Sequence, residues 1–336
     1  MRMYIYSLVG GNEVAQLVKL QDYISRYQID LKRYPTQFVR LKKQQWERTK
    51  SEWEDGSLNA QWVEEEVMED DLEKSSFFSK LFRRKKDSHS TEEVETEEIE
   101  GLIPEEDTIL HFQPNIVYQP QTLEELKRMY LDQLFHFQMK WASSTLLDKS
   151  YVDPKFMRDS LLRTLTLHLP DNYFLLYYPI LKLKKAPVEL EILLILPTEI
   201  ICMVVLEGQD SDAFIGSSDR FWLRKSGKEE KKVLSPLINL NRMESIIQQV
   251  FQKEAIDLPI RRVVLSRNGY IDYPGAVYNT QFIDTRKFQT WFKALQSNPS
   301  PMKHMQFKAA QSLLNLVQTT SYSRAGWELD SEGSND

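Results

Sequence analysis

Cysteine is almost missing from this chain: Cys202 stands alone among 336 residues. A disulfide framework is excluded, which fits a reducing, cytoplasmic setting. Cys202 sits inside an apolar run and reads as a small hydrophobe, not a redox centre. The five histidines, His89, His111, His136, His168 and His304, lack zinc-ligand spacing. No uncharged apolar run reaches the roughly 18 residues that a membrane span needs. The opening stretch Met1–Gly11 is too short for a secretory signal, and the residues after Gly11 are too polar to extend one. There is no internal repeat.

What is present is unevenly charged. The formal net charge is −6. Residues 64–108 hold 17 acids against 6 bases, and residues 321–336 hold 4 acids against 1 base. The remainder carries a net +8. A mildly basic folded part beside acidic segments is compatible with a polyanionic partner.

Periodicity divides the chain into four parts. Residues 1–63 read as a helical N-terminal segment, because Val14, Leu17, Val18, Tyr23 and Ile24 recur at three- and four-residue steps. Pro35 interrupts the pattern, and Phe38, Leu41, Trp46 and Trp53 resume it. The basic residues from Lys32 to Lys50 suit the solvated face of an amphipathic helix. Residues 64–108 read as a disordered charged linker, too acidic and too poor in apolar residues to fold. Within it, residues 75–86 place Phe77, Phe78 and Phe82 beside Arg83 and Arg84. That amphipathic motif suits an anionic membrane surface or a protein partner's groove.

Residues 109–296 read as an α/β domain, a mixed sheet flanked by helices. Thr122 with Glu125 forms a capping box, and Asp153-Pro154 opens a second helix. Strands follow at about 173–183, 188–196 and 200–207, then a short one at Phe221–Leu223. A helix capped near Asn241 and Glu244 leads to a strand at Arg261–Ser266. Residues 297–336 comprise a last helix and an acidic tail.

Two of these strands carry unusual carboxylates: Glu189 and Glu191 on one, Glu207 at the end of the next. A buried charge is costly unless paired or metal-bound, so adjoining acidic strands point to a metal site or its remnant. Alternation predicts that Glu189 and Glu191 share a face.

The text around these acids resembles the nuclease-related (NERD) domain family, a branch of the PD-(D/E)xK, restriction-endonuclease-like superfamily. Leu169-Pro170-Asp171-Asn172-Tyr173, Glu189-Leu190-Glu191, Leu206-Glu207-Gly208-Gln209, Trp222 and Ser235-Pro236-Leu237-Ile238-Asn239 carry the resemblance, between about Arg158 and Leu295. It implies that Glu191 and Glu207 hold Mg²⁺ or Mn²⁺ and that position 209 supplies a catalytic lysine. Asp159 resembles a helix glutamate of the family. Three departures stand against activity: Glu191 for aspartate, Asn239 for glutamine, and above all Gln209 for lysine. Losing one such electrostatic group commonly costs about 10²–10³ in rate. The resemblance therefore implies a degenerate, metal-free binding or scaffold domain, or else an active nuclease with a lysine displaced to Lys182, Lys184 or Lys185. A third reading is an accessory protein docked through residues 75–86. Nucleic acid is the expected ligand, with Lys182, Lys184, Lys185, Arg220, Arg224 and Lys225 as the candidate contact surface.

Overall fold

The computed structural model describes residues 14–58, 118–145, 148–183, 186–297, 300–320 and 322–323. The acidic linker, its Phe77, Phe78, Phe82, Arg83 and Arg84 motif, and Lys184 and Lys185 lie outside the described residues. The chain divides into two compact units, one formed by Met1–Gln44 with Leu131–Asp336 and the other by Gln45–Tyr130. In the smaller unit Leu58 and Leu126 pack with Trp46, Trp53 and Met129, and the Trp53 indole donates to the Pro120 carbonyl at 2.8 Å.

In chain order the helices are α1 (Arg33–Glu54), α2 (Leu123–Trp141), α3 (Pro154–Met157), α4 (Ser160–Leu167), α5 (Pro236–Lys253), α6 (Phe288–Gln296) and α7 (His304–Leu314). Strands β1 (Gln16–Leu20), β2 (Asp148–Lys149), β3 (Phe174–Tyr177), β4 (Ile180–Lys182), β5 (Pro187–Glu189), β6 (Ile192–Ile195) and β7 (Ile200–Val205) come first. They are followed by β8 (Ala213–Ile215), β9 (Phe221–Ser226), β10 (Glu229–Leu234), β11 (Ile260–Leu265), β12 (Tyr270–Asp272), β13 (Thr280–Ile283) and β14 (Tyr322–Ser323).

Six strands form the main sheet in the order β1-β3-β6-β7-β11-β13. Only β6 runs against the others; it is antiparallel to both β3 and β7. The expected mixed sheet flanked by helices is therefore observed, and the run α4, β3, β6, β7, α5, β11 keeps the predicted element order. Helix α5 packs on β7 and β11, α4 on β3, and α7 on β6. Strands covered on both faces read as unbroken apolar runs, which is why Ile192–Ile195 and Ile200–Val204 are buried throughout. A second sheet has the order β10-β9-β8-β12.

The structure corrects several local expectations. The helical N-terminal segment is present as α1, but Gln16–Leu20 forms β1, buried at all five positions, and pairs in parallel with β3. Its apolar density fits a two-sided strand as well as a helix face, and tertiary pairing decides. Pro35 does not interrupt the helix; it lies in the first turn of α1, where a missing N–H costs nothing. The strand at 173–183 breaks at Tyr178-Pro179, and the strand at 188–196 breaks at Leu190-Glu191. The broken ends β4 and β5 pair with each other outside the main sheet. Helix α5 begins at Ser235-Pro236, with proline at its first position, before the expected cap. Within the expected tail, Tyr322–Ser323 pairs with β2. Among the described residues no helix is long and apolar enough to cross a membrane.

Candidate functional site

Because β1, β3, β7, β11 and β13 point the same way, their carboxyl ends share one edge of the sheet. In open α/β sheets that edge is where ligands bind. A cleft of about 480 Å³ opens there, lined by Gln21 after β1, Tyr178 after β3, Glu207 after β7 and Arg267 after β11. Lys155, Arg158, Asp159 and Ser160, from α3 and the start of α4, form its other wall, and Glu189 reaches it from β5.

Strained backbone marks the same cleft. Gln21 and Tyr178 hold left-handed conformations, with φ of 40° and 50°. Each such non-glycine residue costs about 1–3 kcal/mol and persists only where its surroundings impose it. At Tyr178 the cause is visible. Its N–H donates to the Glu191 carbonyl at 2.8 Å, and the Leu190 N–H donates to the Pro179 carbonyl at 2.9 Å. The hairpin thus bends without losing its ladder. The carboxylates Glu191, Asp159, Glu207 and Glu189 all act on the Tyr178 phenol, whose pKa is pushed up first by burial and then by these charges.

The bend separates the two acids expected on one face. Glu189 is exposed and lines the cleft. Glu191 is half-buried and turned to the protein: one oxygen accepts from the Val205 N–H at 2.9 Å, the other from the Asn239 amide at 3.0 Å. Burial pushes its pKa up, partly offset by those two hydrogen bonds. Asn239 reaches Glu191 from α5.

Glu207 lies beyond the end of β7 and is exposed. Its carboxylate pairs with the Arg267 guanidinium at 2.9 Å, and Arg267 also donates to the Ser160 hydroxyl at 3.2 Å. The parallel register of β7 and β11 places these two side by side, since Val205 is opposite Leu265. Gln209 is exposed, off the strand and absent from the cleft wall. The turn that carries it is clamped by buried Asp212, which accepts from the Gln209 N–H at 2.8 Å and from Arg224 at 2.5 Å. Gly208 is required there, because a Cβ would meet the Asp212 carboxylate at 2.2 Å.

Asp159 is not a helix-interior residue. It caps α4, with one oxygen accepting from the Leu161 and Leu162 N–H groups at 2.9 and 3.0 Å. Its other oxygen accepts from the Tyr177 hydroxyl at 2.6 Å. The Asp171 carboxylate accepts from the Val14 N–H at 2.6 Å and from Lys42, while the Tyr173 hydroxyl donates to the Leu295 carbonyl at 2.8 Å. These residues of the Leu169–Tyr173 stretch hold the sheet's flank and do not reach the cleft wall.

The oxygen donors fall short of a preformed cage for Mg²⁺ or Mn²⁺, which want about six oxygen ligands. Among the described residues no group of three or more His, Cys, Asp or Glu side chains is placed to hold a metal ion. Of the two expected ligands, Glu191 faces the protein and Glu207 faces a guanidinium.

Of the expected basic surface, Lys184 and Lys185 lie outside the described residues. Lys182 is exposed on β4, in a different sheet from Arg224 and Lys225. Arg224 is committed to Asp212, and Lys225 pairs with Glu230 at 2.7 Å. Arg220 is exposed, with its guanidinium 5.7 Å from the centre of the Phe221 ring. Sequence reasoning missed Tyr178, Arg267, Lys155 and Arg158. Arg267 directly follows an apolar strand, but its meaning depends on knowing that β11 runs beside β7.

No family model matches the chain, and no solved structure matches it. A similar curated protein is the RNA 2',3'-cyclic phosphodiesterase of Geobacillus stearothermophilus, 35% identical over 133 residues. The match covers 38% of this chain and 37% of that relative, so the chain spans well under half of the protein it resembles.

Proposed function

We propose that this is a divergent nuclease-related domain that grips the phosphodiester backbone of nucleic acid in the cleft without a divalent cation. The observation that carries it is the Glu207–Arg267 ion pair. The carboxylate expected to hold a cation already has one, supplied by the chain. Lys155, Arg158 and Arg267 bring three cations to the cleft against Asp159, Glu189 and Glu207, Lys155 pairs with Asp153 at 3.2 Å, and the Ser160 hydroxyl stands beside Arg267. Guanidinium and ammonium groups suit phosphate oxygens, the guanidinium in bidentate fashion. The relative's name supports a phosphodiester as the class of ligand. That same name favours a second reading, an active Mg²⁺- or Mn²⁺-dependent phosphodiesterase.

Binding of labelled RNA and DNA in EDTA, at several salt concentrations, separates the two. Wild type should bind in EDTA with a steep salt dependence. Arg267→Ala should weaken binding roughly tenfold and lower the log–log salt slope by about 1. Titration calorimetry with Mn²⁺ should give no binding. Cleavage of plasmid DNA or structured RNA that needs Mg²⁺ or Mn²⁺, and that disappears in Glu191→Ala and Glu207→Ala, would overturn the binding-only reading.

A further inference from the structure

The four-stranded sheet carries a feature that the cleft does not use. One face is buried at its middle: Trp222, Phe214 and Ile271 are covered, Trp222 packs on Tyr273 and Phe282, and Arg224 on the same face is held by Asp212. Its outer face is open. Cross-strand partners share a face, so Phe221 lies beside Leu234, Leu223 beside Lys232 and Ile215, and Lys225 beside Ala213. Ala213 in turn lies beside Tyr270, which puts Tyr270 on the same outer face as Phe221. Phe221 is 49% exposed, Leu234 45% and Tyr270 40%. Leu223 and Ile215 share that face with them, so the open apolar residues are grouped and not scattered singly.

Each of the two rings is accompanied by a guanidinium. Arg220 stands 5.7 Å from the Phe221 ring centre and Arg286 stands 5.5 Å from that of Tyr270. Arg286 is held in place by Asp284. With Lys225 and Lys232, the face and its rim present four cations against the carboxylates of Glu230, Asp272 and Asp284; Lys225 is paired with Glu230 and Arg286 with Asp284, which leaves Arg220 and Lys232 in excess. By strand spacing and rise, the two rings lie on a diagonal of roughly 16 Å.

We propose that this outer face is a platform for single-stranded nucleic acid. Exposed rings stack on bases that are not already paired and stacked, and neighbouring cations track the phosphates. A duplex offers no free base faces, so the platform selects single strands. The inference deepens the nucleic-acid reading and rests on it, but it uses residues outside the cleft, so the two can fail separately.

The test is fluorescence anisotropy of the full chain with labelled RNA of about 12 nucleotides, single-stranded and as a duplex. Wild type should prefer the single strand. Phe221→Ala and Tyr270→Ala should each weaken single-strand binding roughly tenfold and leave the duplex unchanged. Phe221→Trp should retain the affinity, which separates stacking from a folding defect. Arg267→Ala should weaken both forms and keep their ratio. If the ring variants change nothing while Arg267→Ala weakens binding, the platform is wrong and the cleft stands. If wild type binds neither form, both readings fall. Concentration-dependent dimerisation in sedimentation that Phe221→Ala abolishes, without any single-strand preference, would assign the face to a second copy and overturn the platform.

Discussion

In the main sheet every residue of β1, β3 and β6 is buried, whereas in the second sheet β9 carries exposed Phe221 next to buried Trp222. The two sheets solve different problems with the same backbone geometry. The first is covered on both faces and places its chemistry at the ends of its strands, where Tyr178, Glu207 and Arg267 meet. The second buries Trp222, Phe214 and Ile271 on one face and leaves Phe221, Leu234 and Tyr270 open on the other. Burial supplies stability in one case, and incomplete burial supplies a surface in the other.

The contrast can be tested by truncation. Leu193→Ala, at a fully buried position of β6, should lower unfolding free energy by about 2–5 kcal/mol, read from urea midpoints. Leu223→Ala, on the open face of β9, should change it by less than about 1 kcal/mol. Equal losses would mean that the outer face is covered in solution.

A buried charge gives the next largest effect. The Lys19 side chain lies inside the edge of the main sheet and donates to the Tyr23 carbonyl at 2.5 Å, Gln28 at 2.9 Å and Thr319 at 3.2 Å. Burial lowers its pKa to about 7, against an opposing pull from Asp22. The unfolded chain then binds more protons than the folded one between about pH 7 and the ordinary lysine value. The destabilisation is fully present below pH 7 and is relieved as pH rises through that window. Stability should increase by about 2 kcal/mol from pH 7 to pH 9, and Lys19→Met should flatten the rise. A pH-independent wild type would place a charged, solvated amine there instead.

A smaller effect than that of Lys19 belongs to the cleft wall. Asp159→Ala removes the cap of α4 and the partner of the Tyr177 hydroxyl, and should cost about 1 kcal/mol by thermal or urea unfolding. A loss as large as that of Leu193→Ala would move Asp159 from the edge of the cleft to the centre of the fold.

Much of the fold was legible because it rests on short-range pattern. The apolar runs around Ile192 and Ile200 and the Thr122–Glu125 cap are local signals that form as read, and Asp153-Pro154 opens a helix as expected, although that helix stops at Met157 and a new one, capped by Asp159, carries Leu161, Leu162 and Leu165. What failed locally failed for tertiary reasons. Gln16–Leu20 has the apolar content of a helix face, yet the open edge of β3 takes it as a strand. The strand through Tyr178 looked continuous, yet the hairpin bends there and turns Glu191 away from Glu189.

The candidate site divides the same way. By itself the sequence determined which residues bear charge, that Gln209 is not lysine, and that apolar strands end in acids. The order of the strands was settled only in three dimensions, and with it the pairing of Glu207 with Arg267, 60 residues apart. That pairing arises from the parallel register of β7 and β11, a long-range hydrogen-bond ladder that no local pattern encodes. The open face of the second sheet has the same origin. Alternation along β9 is written in the chain, but which side stays uncovered depends on where Trp222 finds Tyr273 and Phe282.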